Sequence, residues 1–355
     1  MRIILFIFLS YFTLFAQNTV TKIISDQGII WGMTFIDENQ LLLSHKDGRI
    51  SLLDLQSKEI TNIKNAPQIS LKGQGGLLDI QNKNGWIYLT YVKDIQGQGA
   101  TTLARAKLQN NALVDLTDLI VTKSTSNASH HFGSRIAFDD NGHLFFSIGD
   151  RGDRHNAQNL QSHAGSILRL NLDGSIPKDN PFVDDENALD EIYSYGHRNP
   201  QGIFYNTNNK TLYSNEHGPR GGDEINIIKK GENYGWPIVS KGKEYWSHLF
   251  VGKYRSKKEY VDAIKVFTPS IAPSSIISYS GKIYKHLRGN LFSGALKLQH
   301  LNQIILDKNG AIIQENKLLE DLQQRIRNVV ESPNGEIYIA TDNGNIYLVH
   351  FKEED

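Results

Sequence analysis

The chain contains no cysteine. That absence excludes disulfides, thiolate catalysis and Cys-ligated metals, so in an oxidising compartment the fold must rest on its core alone. Net charge of either sign is also missing: 38 Lys and Arg face 38 Asp and Glu in 355 residues. A balanced chain makes no overall electrostatic case for nucleic acid or an anionic membrane as partner. Past the N-terminus no segment is apolar for long enough to span a bilayer, and no low-complexity linker divides the chain. Long amphipathic helical patterns are scarce; residues 316–325 come nearest, and weakly. What is plentiful is 30 Gly, 15 Tyr and 15 Phe, a composition suited to strands and tight turns.

The N-terminus carries its own message. Met1-Arg2 is a short basic tip, residues 3–15 are apolar apart from Ser10 and Thr13, and Ala16 precedes the polar Gln17-Asn18-Thr19. This reads as a signal peptide over residues 1–16, leaving one domain over 17–355 and a periplasmic or secreted protein. Leu14 is a poor fit to the cleavage pattern, and an uncleaved anchor is the alternative. No Cys follows, which excludes a bacterial lipoprotein anchor.

A unit recurs along the chain. A short apolar strand turns at Asp, Asn or Gly into a second strand, then reaches a Gly and a third. Ile30-Trp31-Gly32-Met33-Thr34-Phe35 leads to Leu41-Leu42-Leu43-Ser44 and Ile50-Ser51-Leu52-Leu53. The same plan starts at Arg135 and at Asn328, with looser copies near Gly76, Gly202 and Pro273. About six such units predict an all-β fold, a six-bladed β-propeller of four-stranded antiparallel blades. A β-sandwich with long loops explains the strands but not the recurrence.

Polar, Gly-rich segments interrupt this pattern. They are Gly73-Gln74-Gly75-Gly76-Leu77-Leu78-Asp79; His130-His131-Phe132-Gly133-Ser134-Arg135 with a following Ile148-Gly149-Asp150-Arg151-Gly152-Asp153; Tyr195-Gly196-His197-Arg198-Asn199-Pro200-Gln201-Gly202; and Glu216-His217-Gly218-Pro219-Arg220-Gly221-Gly222-Asp223-Glu224-Ile225-Asn226 with Asn233-Tyr234-Gly235-Trp236-Pro237. His131 precedes one strand of its unit and Asp150 ends the next, so antiparallel pairing sets them at one end of a blade. A His beside a carboxylate suits a general base, although a lone loop His is more often solvated. Arg198, Lys297, Arg325 and Arg327 are cations for a polyanion, although Arg-x-Arg on a strand is more often a surface pair. The Gly218-Pro219 turn offers carbonyls suited to a hard cation such as calcium, although Gly-Pro is usually only a turn. Asp139-Asp140-Asn141-Gly142 lacks the spacing of a calcium loop and reads as a hairpin turn, and Asp150 to Asp153 could be a plain turn.

In combination and order, these segments resemble the glucose/sorbosone dehydrogenase family, nearest to its soluble aldose sugar dehydrogenases that use pyrroloquinoline quinone (PQQ). The resemblance runs from about Trp31 to the end. It implies that His131 is the base acting on the sugar's anomeric hydroxyl as hydride leaves C1, and that Asp150 orients it. It implies that Gln74 lines the sugar pocket, that Arg198 and Asn199 contact the quinone, and that Lys297, Arg325 and Arg327 clamp the PQQ carboxylates. Gly218 and Pro219 match the carbonyl ligands of Ca2+; Asp223 lies in the same segment without a clear part. The implied partners are an aldose and an unknown electron acceptor, with no nucleic acid and no membrane span after cleavage. Ser134 departs from the pattern, standing where this group commonly has a second Gly. The short chain leaves glucose specificity and the dimer contacts of the longer enzymes in doubt. Two other classes use the same residues: a glycan-binding propeller without redox chemistry, and a propeller lyase or hydrolase using the His and Asp with a metal. The cationic set discriminates, since neither needs a clamp for a tricarboxylate.

Overall fold

Strands arrive in groups of four, and each group closes into its own antiparallel sheet. The computed structural model describes residues 18–352; the expected leader, residues 1–16, lies outside the described residues. After β1 (Thr19–Ile24), the first complete blade is β2 (Ile30–Phe35), β3 (Gln40–His45), β4 (Ile50–Asp54) and β5 (Ile60–Ile63). The second is β6 (Leu77–Lys83), β7 (Trp86–Ile95), β8 (Gln98–Gln109) and β9 (Ala112–Val121). The third is β10 (Ile136–Phe138), β11 (His143–Ile148), β12 (Ser166–Asn171) and β13 (Ile192–Tyr195). The fourth is β14 (Pro200–Asn206), β15 (Thr211–Glu216), β16 (Asp223–Ile228) and β17 (Lys265–Phe267), and the fifth β18 (Pro273–Ser278), β19 (Leu291–Ala295), β20 (His300–Leu306) and β21 (Ile312–Leu318). The sixth joins β22 (Ile326–Glu331), β23 (Ile337–Thr341) and β24 (Ile346–His350) to β1.

The first strands of successive blades touch in a closed circuit: β2 with β6, β6 with β10, and on through β14, β18 and β22 back to β2. The fold is therefore the expected six-bladed β-propeller. Its ring is closed by β1, which pairs with β24 from Thr19↔His350 to Ile24↔Ile346. Residues 316–325 are not a helix: β21 runs to Leu318, and a single 3-10 turn covers Glu320–Leu322.

Apolar strand patterns follow from burial on both faces of a blade. Side chains alternate sides along a strand, so Leu41 and Leu43 pack with Tyr338 and Ile346 of the sixth blade, while Leu42 packs with Leu77 and Ile80 of the second. All three leucines are fully buried. An unbroken apolar run replaces the alternation that a one-faced sheet would show.

Near the axis one side chain joins most of the blades. The buried Arg135 guanidinium donates to the Asp79 carboxylate at 3.0 Å and to the carbonyls of Trp31, Gln201 and Arg327 at 2.9–3.0 Å. Asp79 also accepts from the Ile136 amide at 2.9 Å. Strands of the first, second, third, fourth and sixth blades are tied at this one point. The Asp139–Gly142 segment is a hairpin turn, with Asp139 Oδ1 accepting from the Asn141 and His143 amides. No helix among the described residues is long and apolar enough to cross a membrane.

Candidate active site

The topology sets the candidate residues in two kinds of place. Gln74, His131, Arg198, Asn199, Arg325 and Arg327 stand at the start of an innermost strand; Asp150, Gly218, Pro219 and Lys297 stand just after a second strand. Antiparallel pairing puts both places at the same end of the ring. A cavity of about 360 Å3 opens there, lined by Gln74, His131, Asp150, Arg198, Pro219 and Trp236 among others, a size suited to a small molecule.

His131 Nδ1 lies 2.6 Å from Asp150 Oδ1. With Nδ1–H donated to the carboxylate, the basic lone pair is on Nε2. The carboxylate is itself fixed: Oδ1 accepts from the Gly152 amide at 2.8 Å and Oδ2 from the Trp236 indole at 2.9 Å. Burial opposes its negative charge, yet the His131 hydrogen bond, together with the charges of His131 and Arg198, holds the Asp150 pKa below the ordinary carboxylate value. Burial lowers the His131 pKa, Asp150 partly restoring it and Arg198 pushing it further down. The lowered pKa favours the neutral imidazole, the form a base needs.

The loop carrying His131 is tightly shaped. His131, Gly133 and Ser134 all have positive φ, at 58°, 64° and 102°, a region that side-chain-bearing residues rarely enter. At φ 102° Ser134 occupies backbone space that Gly enters freely, and its buried hydroxyl has no hydrogen-bond partner. Gln74 Oε1 accepts the His131 amide at 3.0 Å. Behind the loop, buried Arg151 donates to the carbonyls of Ala128 and His130 and stacks 3.6 Å from the Phe132 ring centroid. Burial pushes the Arg151 pKa down to about 10. Arg151 is a support that the plain-turn reading of residues 150–153 missed.

Arg198 reaches the cavity from the fourth blade. Its amide donates to Glu216 Oε2 at 2.7 Å, its guanidinium to the His217 carbonyl at 2.8 Å, and it lies 5.4 Å from the Trp236 ring centroid. Asn199 is buried, with Oδ1 accepting from the Gly133 amide and the Gln201 side chain; it braces the His131 loop and is not among the lining residues. Asp223 ties the Gly218 amide at 3.0 Å to the Ala272 amide at 2.6 Å, and burial pushes its pKa up to about 6. That bracket gives Asp223 the part that the sequence left open: it shapes the Gly218-Pro219 turn. The turn is so close to the returning chain that a Cβ on Gly218 would fall 1.7 Å from the Gly222 carbonyl oxygen.

The remaining cations lie around the sixth blade, outside the cavity lining. Arg325 is exposed and Arg327 buried, and both hold Asp342: Arg325 Nε at 2.7 Å, Arg327 Nε and Nη2 at 2.8 and 3.0 Å. Arg325 also donates to the Leu296 carbonyl at 3.0 Å, which brings it to the segment of exposed Lys297. Two guanidiniums on one carboxylate leave positive charge over. Half-buried Lys46 adds to it: burial and Arg327 lower its pKa. Lys46 stands in an ordinary-looking turn, and only the fold gives it this place.

The donor set fits an anionic, metal-assisted cofactor. The Gly218 carbonyl accepts only a 3.5 Å contact from the Tyr245 hydroxyl, leaving a hard oxygen with capacity for a cation. The Pro219 carbonyl accepts from the Gly222 amide at 2.9 Å and from the Ser270 hydroxyl at 3.2 Å, so a cation there would displace the hydroxyl. No group of three or more His, Asp or Glu side chains arranged for a metal occurs among the described residues; main-chain ligation needs none.

Known proteins resemble this chain over most of its length. The glucose/sorbosone dehydrogenase family model matches residues 28–350. The chain is 33% identical to aldose sugar dehydrogenase YliI of Escherichia coli over 88% of this chain and 86% of the relative. It is 26% identical to quinoprotein glucose dehydrogenase B of Acinetobacter calcoaceticus over 90% of this chain and 83% of the relative. The crystal structure of the soluble aldose sugar dehydrogenase from Escherichia coli in the apo-form superposes with a TM-score of 0.91 at 30% identity, over 95% of this chain and all of that one. With its propeller, its ordered motifs and a family model spanning most of its length, the chain belongs to the glucose/sorbosone dehydrogenase family.

Proposed function

We propose that this protein oxidises aldose sugars at C1 to the aldonolactone, using PQQ and Ca2+, with His131 as general base. The observation that carries the proposal is that the His131–Asp150 pair and Arg198 line one cavity, a carboxylate-oriented imidazole together with a fixed cation. The names of the sugar-oxidising relatives, one of them a quinoprotein, support it.

Bound PQQ supplies a quinone that accepts the two electrons of the C1–H bond. The chain does the rest. His131 Nε2 takes the C1 hydroxyl proton, and Asp150 stabilises the imidazolium that results. Gln74, at the cavity wall, is placed for the sugar's hydroxyls. Arg198 would stabilise negative charge on the quinone side of a bound cofactor. Lys297, Arg325 and Arg327 hold carboxylates, with Asn199 keeping the His131 and Arg198 segments together. The Gly218 and Pro219 carbonyls would hold a calcium ion, which would supply Lewis-acid polarisation of the cofactor. Residues 1–16 direct export to the periplasm or beyond.

The test is dye-linked aldose oxidation by purified cofactor-free protein, with PQQ and Ca2+ supplied together, singly or not at all, alongside calorimetric titration of PQQ. Turnover and tight PQQ binding only with both additions are expected. Full activity without PQQ, or in rigorously calcium-free protein, overturns the reading. PQQ-independent sugar binding with no turnover favours a glycan-binding propeller.

A further inference from the structure

The connection from β16 to β17 is long, and its composition is unlike the rest of this neutral chain. Between residues 241 and 262 stand Lys241, Lys243, Lys253, Arg255, Lys257 and Lys258 against Glu244, Glu259 and Asp262, and Lys257 pairs with Glu259 at 3.2 Å, so the excess of cations gathers at 241–255. Glu244 is already engaged by Arg154 at 2.8 Å. The same stretch exposes Tyr245 (61%), Trp246 (76%), Leu249 (73%) and Phe250 (50%), four of the nine large exposed hydrophobic side chains among the described residues.

This is a built surface. Glu244 N donates to Leu249 O at 2.9 Å and Val251 N to Gly242 O at 3.1 Å, making a small hairpin, and Arg220 and Lys243 exchange backbone hydrogen bonds at 3.2 and 2.9 Å. Cations ring the apolar tip: Arg220 donates to the Ser247 carbonyl at 2.5 Å, and Lys243 and Arg255 lie 5.4 and 4.1 Å from the Phe250 ring centroid. Tyr245 and Trp246 also line the cavity that holds His131. The patch is therefore continuous with the mouth of the candidate active site.

We infer that this hairpin is the docking surface for the electron acceptor, a small one-electron haem or copper protein with an acidic face. The inference rests on reading the cavity as that of an aldose dehydrogenase. Each sugar oxidised to lactone releases two electrons and two protons; two acceptor molecules in succession take one electron each, and the protons pass to solvent. The electrons leave by the shortest route where the acceptor meets the cavity mouth. An aromatic centre within a cationic rim has the composition of a protein-binding patch, and opposite charges steer such short-lived encounters.

The experiment compares wild type with Lys243→Glu/Lys253→Glu and with Leu249→Ala, residues outside the cavity lining. Rates are measured with a small dye and with an acidic and a basic cytochrome of similar potential. In parallel, each oxidised cytochrome is titrated into the cofactor-free protein by NMR. Dye turnover is expected to stay unchanged, while kcat/KM for the acidic cytochrome drops about tenfold or more in the charge-reversal variant and falls with salt in wild type. The titration weakens in parallel. Equal use of the basic cytochrome, no effect of charge reversal, or patch-dependent binding of phosphatidylglycerol vesicles in place of the cytochrome overturns the inference. Absent dye turnover in wild type instead refutes the aldose reading, and the titration still decides the docking.

Discussion

His131 sits where backbone strain and side-chain chemistry coincide. Its φ of 58° is held by the Gln74 contact to its amide and by Arg151 behind the loop, the over-determination that strained functional residues require. If Nε2 is the base, its contribution belongs to the transition state. His131→Ala should then lower turnover by about 10²–10⁴-fold and leave PQQ affinity, measured by titration, nearly unchanged. The acid limb follows from the shifted pKa. A base works unprotonated, and burial lowers the His131 pKa from its ordinary 6.5; activity should persist below pH 6.5 and fail only as pH drops through the lowered value. Asp150→Asn removes a group that raises the His131 pKa, so the limb of kcat/KM against pH should move still lower while the rate drops. A limb at or above 6.5 in wild type contradicts the assignment. Ser134 makes the opposite kind of case, strain without a visible task. Ser134→Gly relieves the strain of a Cβ at φ 102° and removes a buried hydroxyl without a partner, and should raise stability by about 1 kcal/mol in urea unfolding, strain relief outweighing the added chain entropy.

Among the strands, legibility follows periodicity. First, second and third strands of the blades beginning at Ile30, Arg135 and Asn328 could be read directly, because burial on both faces makes them apolar runs between turn residues. The fourth strands are poorer: β5 and β9 carry exposed and half-exposed residues, and β17 is only three residues long. The His131–Asp150 pairing was legible because antiparallel neighbours bring strand starts and ends together. Arg151, Lys46 and the 241–258 hairpin were not: Lys46 meets Arg327 and Asp342 only through ring closure, Arg151 is held by loop carbonyls that carry no periodic signal, and the hairpin lies outside the blade repeat. Arg135 was quoted within a motif and given no task, yet its carbonyl partners belong to three other blades and its carboxylate partner Asp79 to a fourth. Arg135→Met leaves Asp79 buried without its cation, and such a broken buried pair costs about 3–5 kcal/mol. The loss should show in denaturant unfolding at neutral pH and lessen in acid, where the orphaned carboxylate takes up a proton. Asp79→Leu on the same background should recover part of it. An equal loss at every pH contradicts an ionic role for the hub.

At the scale of the whole ring, closure decides stability, and it depends on a strand that arrives at the start of the chain and completes the last blade. Besides the β1–β24 ladder, Asn18 Oδ1 accepts from the Lys352 amide at 3.0 Å and Thr21 Oγ1 meets His350 Nε2 at 2.9 Å. If residues 1–16 are a leader, its removal must leave the closing strand intact. Cleavage after Ala16 gives a mature chain starting at Gln17, or at Asn18 if one further residue is lost, and either retains the whole of β1. N-terminal sequencing of exported protein should find one of these starts, and Met1 on the exported form contradicts the leader assignment. A chain beginning at Asp26 loses the closing strand and leaves β24, whose Ile346 and Val349 are buried, as an exposed edge open to pairing with other chains. At a few kcal/mol of lost pairing and burial, Tm should fall by about 5 °C for a chain of this size, with aggregation rising in light scattering, whereas a chain beginning at Gln17 should match the processed protein in both. Equal Tm for the two truncations would mean that the ring holds through its inner strands and the Arg135 hub alone, with β1 a cover and not a latch.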